Sequence, residues 1–190
     1  MFAIDKHTQF IKSASKELGF DFCGIAKAVQ LQDDARRLED WLQKGLHGDM
    51  QYMENYFDLR INPNKLVPGA KSVITLLLNY FPEQQQTIAA PKIAKYAYGQ
   101  DYHEVIKTKL KTLLQSIKEN IGEVNGRGFV DSAPVLERAW AQKSGLGWTV
   151  NMQTLHTNFV TRHLFNVTVI ARIKFITHVS NFRCPSAVGT

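Results

Sequence analysis

The sequence predicts a mixed α/β domain, a layered sheet with flanking helices, from three observations. Short apolar runs of strand length alternate with longer stretches whose apolar residues recur at helical spacing. The run 71–80 is apolar through Val73, Ile74, Leu76, Leu77 and Leu78, as a strand covered on both faces would be. The stretch 103–121 sets Val105, Ile106, Leu110, Leu113, Leu114, Ile117 and Ile121 at helical spacing, and Gly122 stops it.

The other elements follow in order. Residues 5–18 read as a helix with Phe10, Ala14 and Leu18 on one face and Gly19 at its end. A short strand follows at 20–26. The run 33–42 is helical, with Asp33 and Asp34 in its first turn and Gly45 just past its end, as the helix dipole and glycine caps favour. Residues 49–56 read as a second short helix and 63–69 as a turn-rich connector. Residues 82–91, with two prolines and three successive glutamines, form an exposed loop. The last readable pair is a strand at 127–130 and a helix at 135–144.

At 190 residues the chain can bury a real core as one domain or as one domain with an appendage. Its net charge of +6 suggests nucleic acid until the charges are located. Arg162, Arg172, Lys174 and Arg183 lie beyond Trp148, and no acid follows Glu137, so residues 1–148 are left with 19 basic and 17 acidic side chains. The basicity belongs mostly to the tail. Two cysteines, Cys23 and Cys184, exclude a disulfide framework or a cysteine-held cluster. The N-terminus lacks the pattern of a signal peptide, and no apolar run approaches the ~20 residues that span a bilayer. A soluble, cytoplasmic protein is expected. There is no P-loop, no His-Glu-x-x-His and no dinucleotide glycine fingerprint.

Asp131 is the leading chemical candidate. It follows the strand at 127–130, and strand ends open into the clefts where α/β proteins place chemistry. Flanked by Phe129, Val130, Ala133 and Pro134, its carboxyl would be partly desolvated, which favours the protonated form and suits a proton donor. Asp and Ser are equally good helix caps, so Asp131 also reads as the cap of the helix near Val135. The loop from Tyr96 to His103 is dense in aromatic rings and could wall a pocket for a large planar ligand. Alternatively Asp101 caps the following helix and the rings cover core edges. His47 and Arg60 read as solvated loop residues, Gly145-Leu146-Gly147 as a helix stop, and Cys23 as a small buried hydrophobe.

Five blocks, in order, resemble the N-terminal half of epoxyqueuosine reductase. They are Glu17-Leu18-Gly19-Phe20-Asp21-Phe22-Cys23-Gly24-Ile25-Ala26, His47-Gly48-Asp49-Met50-Gln51-Tyr52-Met53, Leu66-Val67-Pro68-Gly69-Ala70-Lys71-Ser72-Val73-Ile74, the aromatic loop from Tyr96 to His103, and Val130-Asp131-Ser132-Ala133-Pro134-Val135-Leu136-Glu137-Arg138. The resemblance runs over roughly residues 5–148 and implies a cobalamin-binding, reductase-like domain. It implies reduction of epoxyqueuosine to queuosine in tRNA, with cobalt supplying the reducing chemistry and an external electron donor. Asp131 would be the proton donor. Arg60, Tyr102, His103, Ser132, Arg138 and Trp148 would line the cofactor cleft. The chain itself is expected to ligate no metal.

Beyond Trp148 the resemblance stops. The family continues with Gly-Lys-Asn and later with the Cys-x2-Cys-x2-Cys-x3-Cys-Pro run that holds [4Fe–4S] clusters; those ligands are absent here. Residues 169–179 retain some strand-like alternation. Read one base earlier, codons for Thr149-Val150-Asn151 can contain Gly-Lys. Residues 1–148 are therefore expected to form the cobalamin-binding domain and 149–190 an aberrant basic tail, out of frame and of unknown fold. The chain is expected to be truncated and inactive alone. Two other functions stand beside this one: a corrinoid-dependent reductase of another substrate, and a non-catalytic basic tRNA-binding fragment.

Overall fold

The computed structural model describes residues 2–82, 84, 86–87, 89–131, 133–151, 154–157 and 164–172. Helix α1 (Phe2–Glu17) leads into strand β1 (Phe22–Lys27), and α2 (Gln32–Gln43) follows. Two short helices, α3 (Phe57–Ile61) and α4 (Pro63–Leu66), precede β2 (Ser72–Asn79). The long α5 (Tyr102–Ile121), β3 (Gly126–Phe129) and α6 (Glu137–Lys143) complete the part that bears on the site. Strands β4 (Gly147–Asn151), β5 (Thr154–Thr157) and β6 (Leu164–Ala171) end the described chain. The expected mixed α/β layering is what forms: a four-stranded antiparallel sheet in the order β1-β2-β6-β3, with helices on its faces.

Strand β2 is central, as its continuous apolar run requires. Because successive side chains point to opposite faces, it feeds two cores. Ile74 and Leu76 face α1 and α5, where Ile11, Ala14, Ile106, Leu110, Leu113 and Ile117 meet them. Val73 and Leu77 face the other way, toward Trp140 and Ala141 of α6. The period of α5 appears directly in its buried residues, Ile106, Leu110, Leu113 and Ile117. Lys109 from the same helix donates through Nζ to the carbonyl of Leu18, closing the end of α1.

Three details differ from the sequence reading. Residues 49–56 form no α-helix; a 3-10 turn covers Gln51–Met53, Tyr56 takes a left-handed φ of 58°, and α3 starts after it. The connector 63–69 contains α4, because Pro63 occupies the first helical turn and the Asn62 side chain accepts from the Asn64 N–H. The third difference is in the segment beyond Trp148. Strand β6 lies between β2 and β3, pairing Ser72 with Ala171 at one end of the ladder and Asn79 with Leu164 at the other. Val167, Val169, Ile170 and Ala171 are fully buried. Alternation over 164–171 lets one strand serve both faces, so the edge of the sheet does not coincide with residue 148. Residues 173–179 lie outside the described residues. Within this pairing Thr75 and Thr168 stand opposite each other, and neither buried hydroxyl has a hydrogen-bond partner among the described residues.

Gly24 on β1 shows how tightly α6 and its exit turn press on the sheet. A Cβ there would lie 2.6 Å from Ser144 Oγ, 2.7 Å from the Ser144 carbonyl oxygen and 2.8 Å from Leu146 Cγ. Two of these atoms belong to well-packed neighbours and one to backbone, so G24A should destabilise the fold by about 1–3 kcal/mol. Thermal unfolding checks it; an unchanged midpoint would mean that the turn after α6 does not rest on β1. No described helix is long and apolar enough to cross a membrane.

Candidate active site

The site forms where the start of α5 meets the loop that leaves β3. Asp101 is the N-cap of α5: its carboxylate accepts the His103 N–H at 2.9 Å. The same oxygen lies 2.9 Å from His103 Nδ1. These bonds, the backbone one first, hold the Asp101 carboxyl below its ordinary range. The cap fixes the direction in which Tyr102 and His103 leave the helix. Their rings stack at 4.0 Å between centroids and 30° between planes. Tyr96 meets the Tyr102 ring edge-on at 6.2 Å.

From that position the Tyr102 hydroxyl donates to Asp131 Oδ2 at 2.7 Å. Burial, then this bond and the charge of Asp131, raise the Tyr102 hydroxyl well above its usual range, so it stays a donor at any physiological pH. Asp131 has φ of 49°, one of two non-glycine residues with positive φ among those described. Such backbone costs about 1–3 kcal/mol and tends to persist where function needs it.

The capping alternative for Asp131 does not hold. Helix α6 starts at Glu137, with Leu136 as its cap residue and no side-chain cap bond. The expected desolvation is also misplaced, because Asp131 itself is exposed. Phe129 and Val130 turn into the core, leaving the acid at the surface. The desolvated acid is Glu137. Its carboxyl is raised from 4.5 to about 8, chiefly by burial and then by the charge of Asp131; the Asp131 backbone N–H and Arg138 oppose this. Sequence reasoning did not single it out. The available signal was an acid in the first turn of a helix, between Val135 and Trp140 of the buried face.

The remaining candidates fall in different places. Arg138 is exposed on α6, beside Glu137. Arg60, at the end of α3, spends its guanidinium on its own loop: Nη2 donates to the Tyr52 carbonyl at 2.8 Å and Nε to that of Asn55 at 3.1 Å. Ser132 and the side chain of Trp148 lie outside the described residues. Thus the structure brings Asp131, Tyr102 and His103 together, adds Glu137, and turns Arg60 inward on the turn before α3.

Beside Tyr102 opens a cavity of about 420 Å³, walled by Tyr80, Phe81, Tyr96, Tyr98 and Tyr102, with Ile106 among its apolar contacts. Phe81 and Tyr96 are 43% and 51% exposed, so part of the aromatic wall reaches the surface. Lys95 Nζ sits 4.1 Å from the centre of the Phe81 ring, placing a cation on the rim. Cys23 is remote chemistry: it packs against the main core, and burial raises its thiol to about 11, which keeps it protonated and unreactive. Among the described residues no group of three or more His, Cys, Asp or Glu side chains could hold a metal ion.

Residues 60–132 match the family model described as "Epoxyqueuosine reductase QueG, DUF1730". The epoxyqueuosine reductase of Cyclobacterium marinum is 59% identical over 150 residues, 78% of this chain and 48% of that protein. The chain spans about half the length of the curated relatives it matches. A solved epoxyqueuosine reductase carrying an epoxyqueuosine-modified tRNA-Tyr stem loop has a TM-score of 0.78 at 24% identity, over 91% of this chain and 47% of that one. A reductive dehalogenase, described in terms of B12-dependent dehalogenation, reaches 0.53 at 15% identity, over 90% of this chain and 20% of that one. At these identities the two solved structures share the fold.

Proposed function

We propose that this chain, related in sequence to the epoxyqueuosine reductases and spanning about half their length, is the corrinoid-binding half of an enzyme that reduces epoxyqueuosine to queuosine in tRNA. The observation that carries the reading is the Tyr102–Asp131 hydrogen bond at the lip of an aromatic cavity. Removing an epoxide oxygen as water consumes two electrons and two protons. A bound cobalamin would supply the reducing chemistry. An aromatic wall that includes Phe81, Tyr96 and Tyr98 suits a large planar ligand, and Tyr102 and His103 would border it.

The protein's own part is the proton. Asp131, exposed and held at one oxygen by Tyr102, is the acid placed to meet a substrate oxygen. Tyr102, itself part of the cavity wall, holds that carboxyl by one oxygen and cannot compete for its proton, because its own is held too firmly. Ser132, Arg138 and Trp148 remain proposed cofactor contacts. For Arg60 the supported role is to hold the turn 52–60. Iron–sulfur clusters do not fit the chain: Cys23 and Cys184 are two thiols where a cluster takes four. Electrons therefore come from outside this chain, and its partners are an external donor and the modified tRNA. The cytoplasm, where such tRNA is handled, is its proposed location.

A corrinoid reductase of another substrate is the second reading, favoured by the shared fold of the dehalogenase. A basic tRNA-binding tail has less support, since Arg172 donates to the Pro68 carbonyl at 2.6 Å and serves the fold. Strand β6 lies within residues 149–190, paired between β2 and β3 and buried, so residues 164–171 are part of the domain and a reading-frame change at Trp148 is not proposed.

The test pairs binding with turnover. The chain should bind cob(II)alamin with a shifted corrinoid spectrum and show no turnover of the modified stem loop by itself. Replacing the acid that corresponds to Asp131 by Asn in a full-length relative should lower turnover at least ~100-fold with corrinoid binding unchanged. Absence of a spectral shift, or full activity of the Asn variant, overturns the reading.

A further inference from the structure

Lys95 alone is charged among the described residues that line the cavity beside Tyr102; the others are apolar or aromatic, apart from the amide of Gln100. Its ammonium rests 4.1 Å from the centre of the Phe81 ring, and both partners are anchored through the backbone. The Phe81 N–H donates to Asn79 Oδ1 at 3.0 Å. Lys95 begins a 3-10 turn over Lys95–Ala97, in which the Ala97 N–H donates to the Ala94 carbonyl at 2.9 Å. The next residue, Tyr96, ties that turn to α5 through its edge-on contact with Tyr102. Lys95 is half-buried, and none of the ion pairs among the described residues includes it.

A cation at the edge of an apolar lining gives up part of its hydration, and an aromatic ring returns only part of that loss. An anionic ligand would complete the compensation, and no acid on the cavity wall opposes one. We propose that Lys95 is the anion-binding residue of this cavity and that its ligand is a phosphodiester joined to a planar base. The ammonium takes a phosphate oxygen, and the aromatic wall takes the base. Lysine binds phosphate as a point charge, and aromatic side chains beside basic ones are how proteins hold unpaired bases. At about 420 Å³ the cavity lies toward the small end of ligand pockets, room for one base and its phosphate rather than a run of nucleotides. Which phosphodiester it takes rests on the proposed function, which offers two: the backbone of the modified RNA and the nucleotide arm of the corrinoid.

Adenosine and its methyl phosphodiester test the charge without either of those ligands, since both carry the base and only one carries the phosphate. Each is titrated into the full chain and followed by the nuclear magnetic resonance signals of the Phe81 and Tyr96 rings and the Lys95 methylenes. The phosphodiester should bind about fivefold more tightly, the upper end for an ion pair open to water. In K95Q, which keeps much of the reach and loses the charge, the two should bind equally; K95R should retain the preference. Equal binding by the wild type, or a preference that persists in K95Q, overturns the proposal. The same variant identifies the source. Weaker binding of cob(II)alamin with unchanged binding of cob(II)inamide, which lacks the phosphodiester, assigns it to the corrinoid. Weaker binding of the modified stem loop, with a slope of log K against log salt shallower by about 0.7, assigns it to RNA. A chain that binds no corrinoid yet prefers the phosphodiester through Lys95 sinks the functional reading and leaves the anion site standing.

Discussion

Replacing Trp140 by alanine should cost the fold about 3–5 kcal/mol, the usual range for deleting a large buried aromatic. Trp140 is 1% exposed and is the largest of the fully buried side chains. It sits on α6 and packs with Val73, Phe129 and Ile170 from three strands, and with Leu31 and Val67 from the connecting segments. No neighbour of that cluster is free to collapse into the void, because the sheet beneath it is rigid and the other face is already filled by α1 and α5. Against a typical total stability of about 5–15 kcal/mol, such a loss is a large fraction of the whole. Urea unfolding measures it. W140F, which leaves a ring in the same space, should lose much less. Equal stability of W140A and wild type would mean that α6 is not docked, and the placement of Glu137 would go with it.

Stability should also fall as pH rises from about 5 to 8, and Glu137 should be the cause. In the folded protein this acid keeps its proton up to about pH 8, whereas in the unfolded chain it releases it near 4.5. Between those values the folded state binds more protons, so raising the pH favours unfolding. Below 4.5 both states are protonated and above 8 both are ionised, so the slope is confined to that window. At about 1.36 kcal/mol per pH unit the full shift corresponds to roughly 4–5 kcal/mol, an upper bound for a half-buried group. E137Q is neutral throughout and nearly the same size. It should match wild type near pH 5 and exceed it by several kcal/mol near pH 9. Parallel pH profiles for the two proteins would remove Glu137 as the source.

Part of the site was readable along the chain and part was not. Tyr102, His103 and Asp131 stand out because each occupies a boundary between elements, where local rules of capping and strand ends apply. Asp101 was correctly readable as a cap, since a cap bonds to residues next to it in sequence. Asp131 was harder. Whether it capped a helix depended on where α6 starts, and that start is set by burial of Val135 and Trp140 against the sheet. Glu137 was passed over because its chemistry comes from its surroundings. An acid in the first turn of a helix is usually a solvated partner of the dipole. This one is desolvated by tertiary packing and placed beside a second carboxyl.

The sequence by itself determined the layered α/β class, the central β2, the long α5 with its buried stripe and the sheet-facing role of the apolar runs. Each of these depends on periodicity within one segment, which neighbouring residues settle among themselves. The tertiary structure decided the pairing of Tyr102 with Asp131, the left-handed turn at Asp131, the raised acid at Glu137 and the insertion of β6 between β2 and β3. These depend on which distant segments share a face and on how much water they exclude. A hydrogen bond across 29 positions of chain, or a carboxyl whose proton is held by burial and a neighbouring acid, has no local signature.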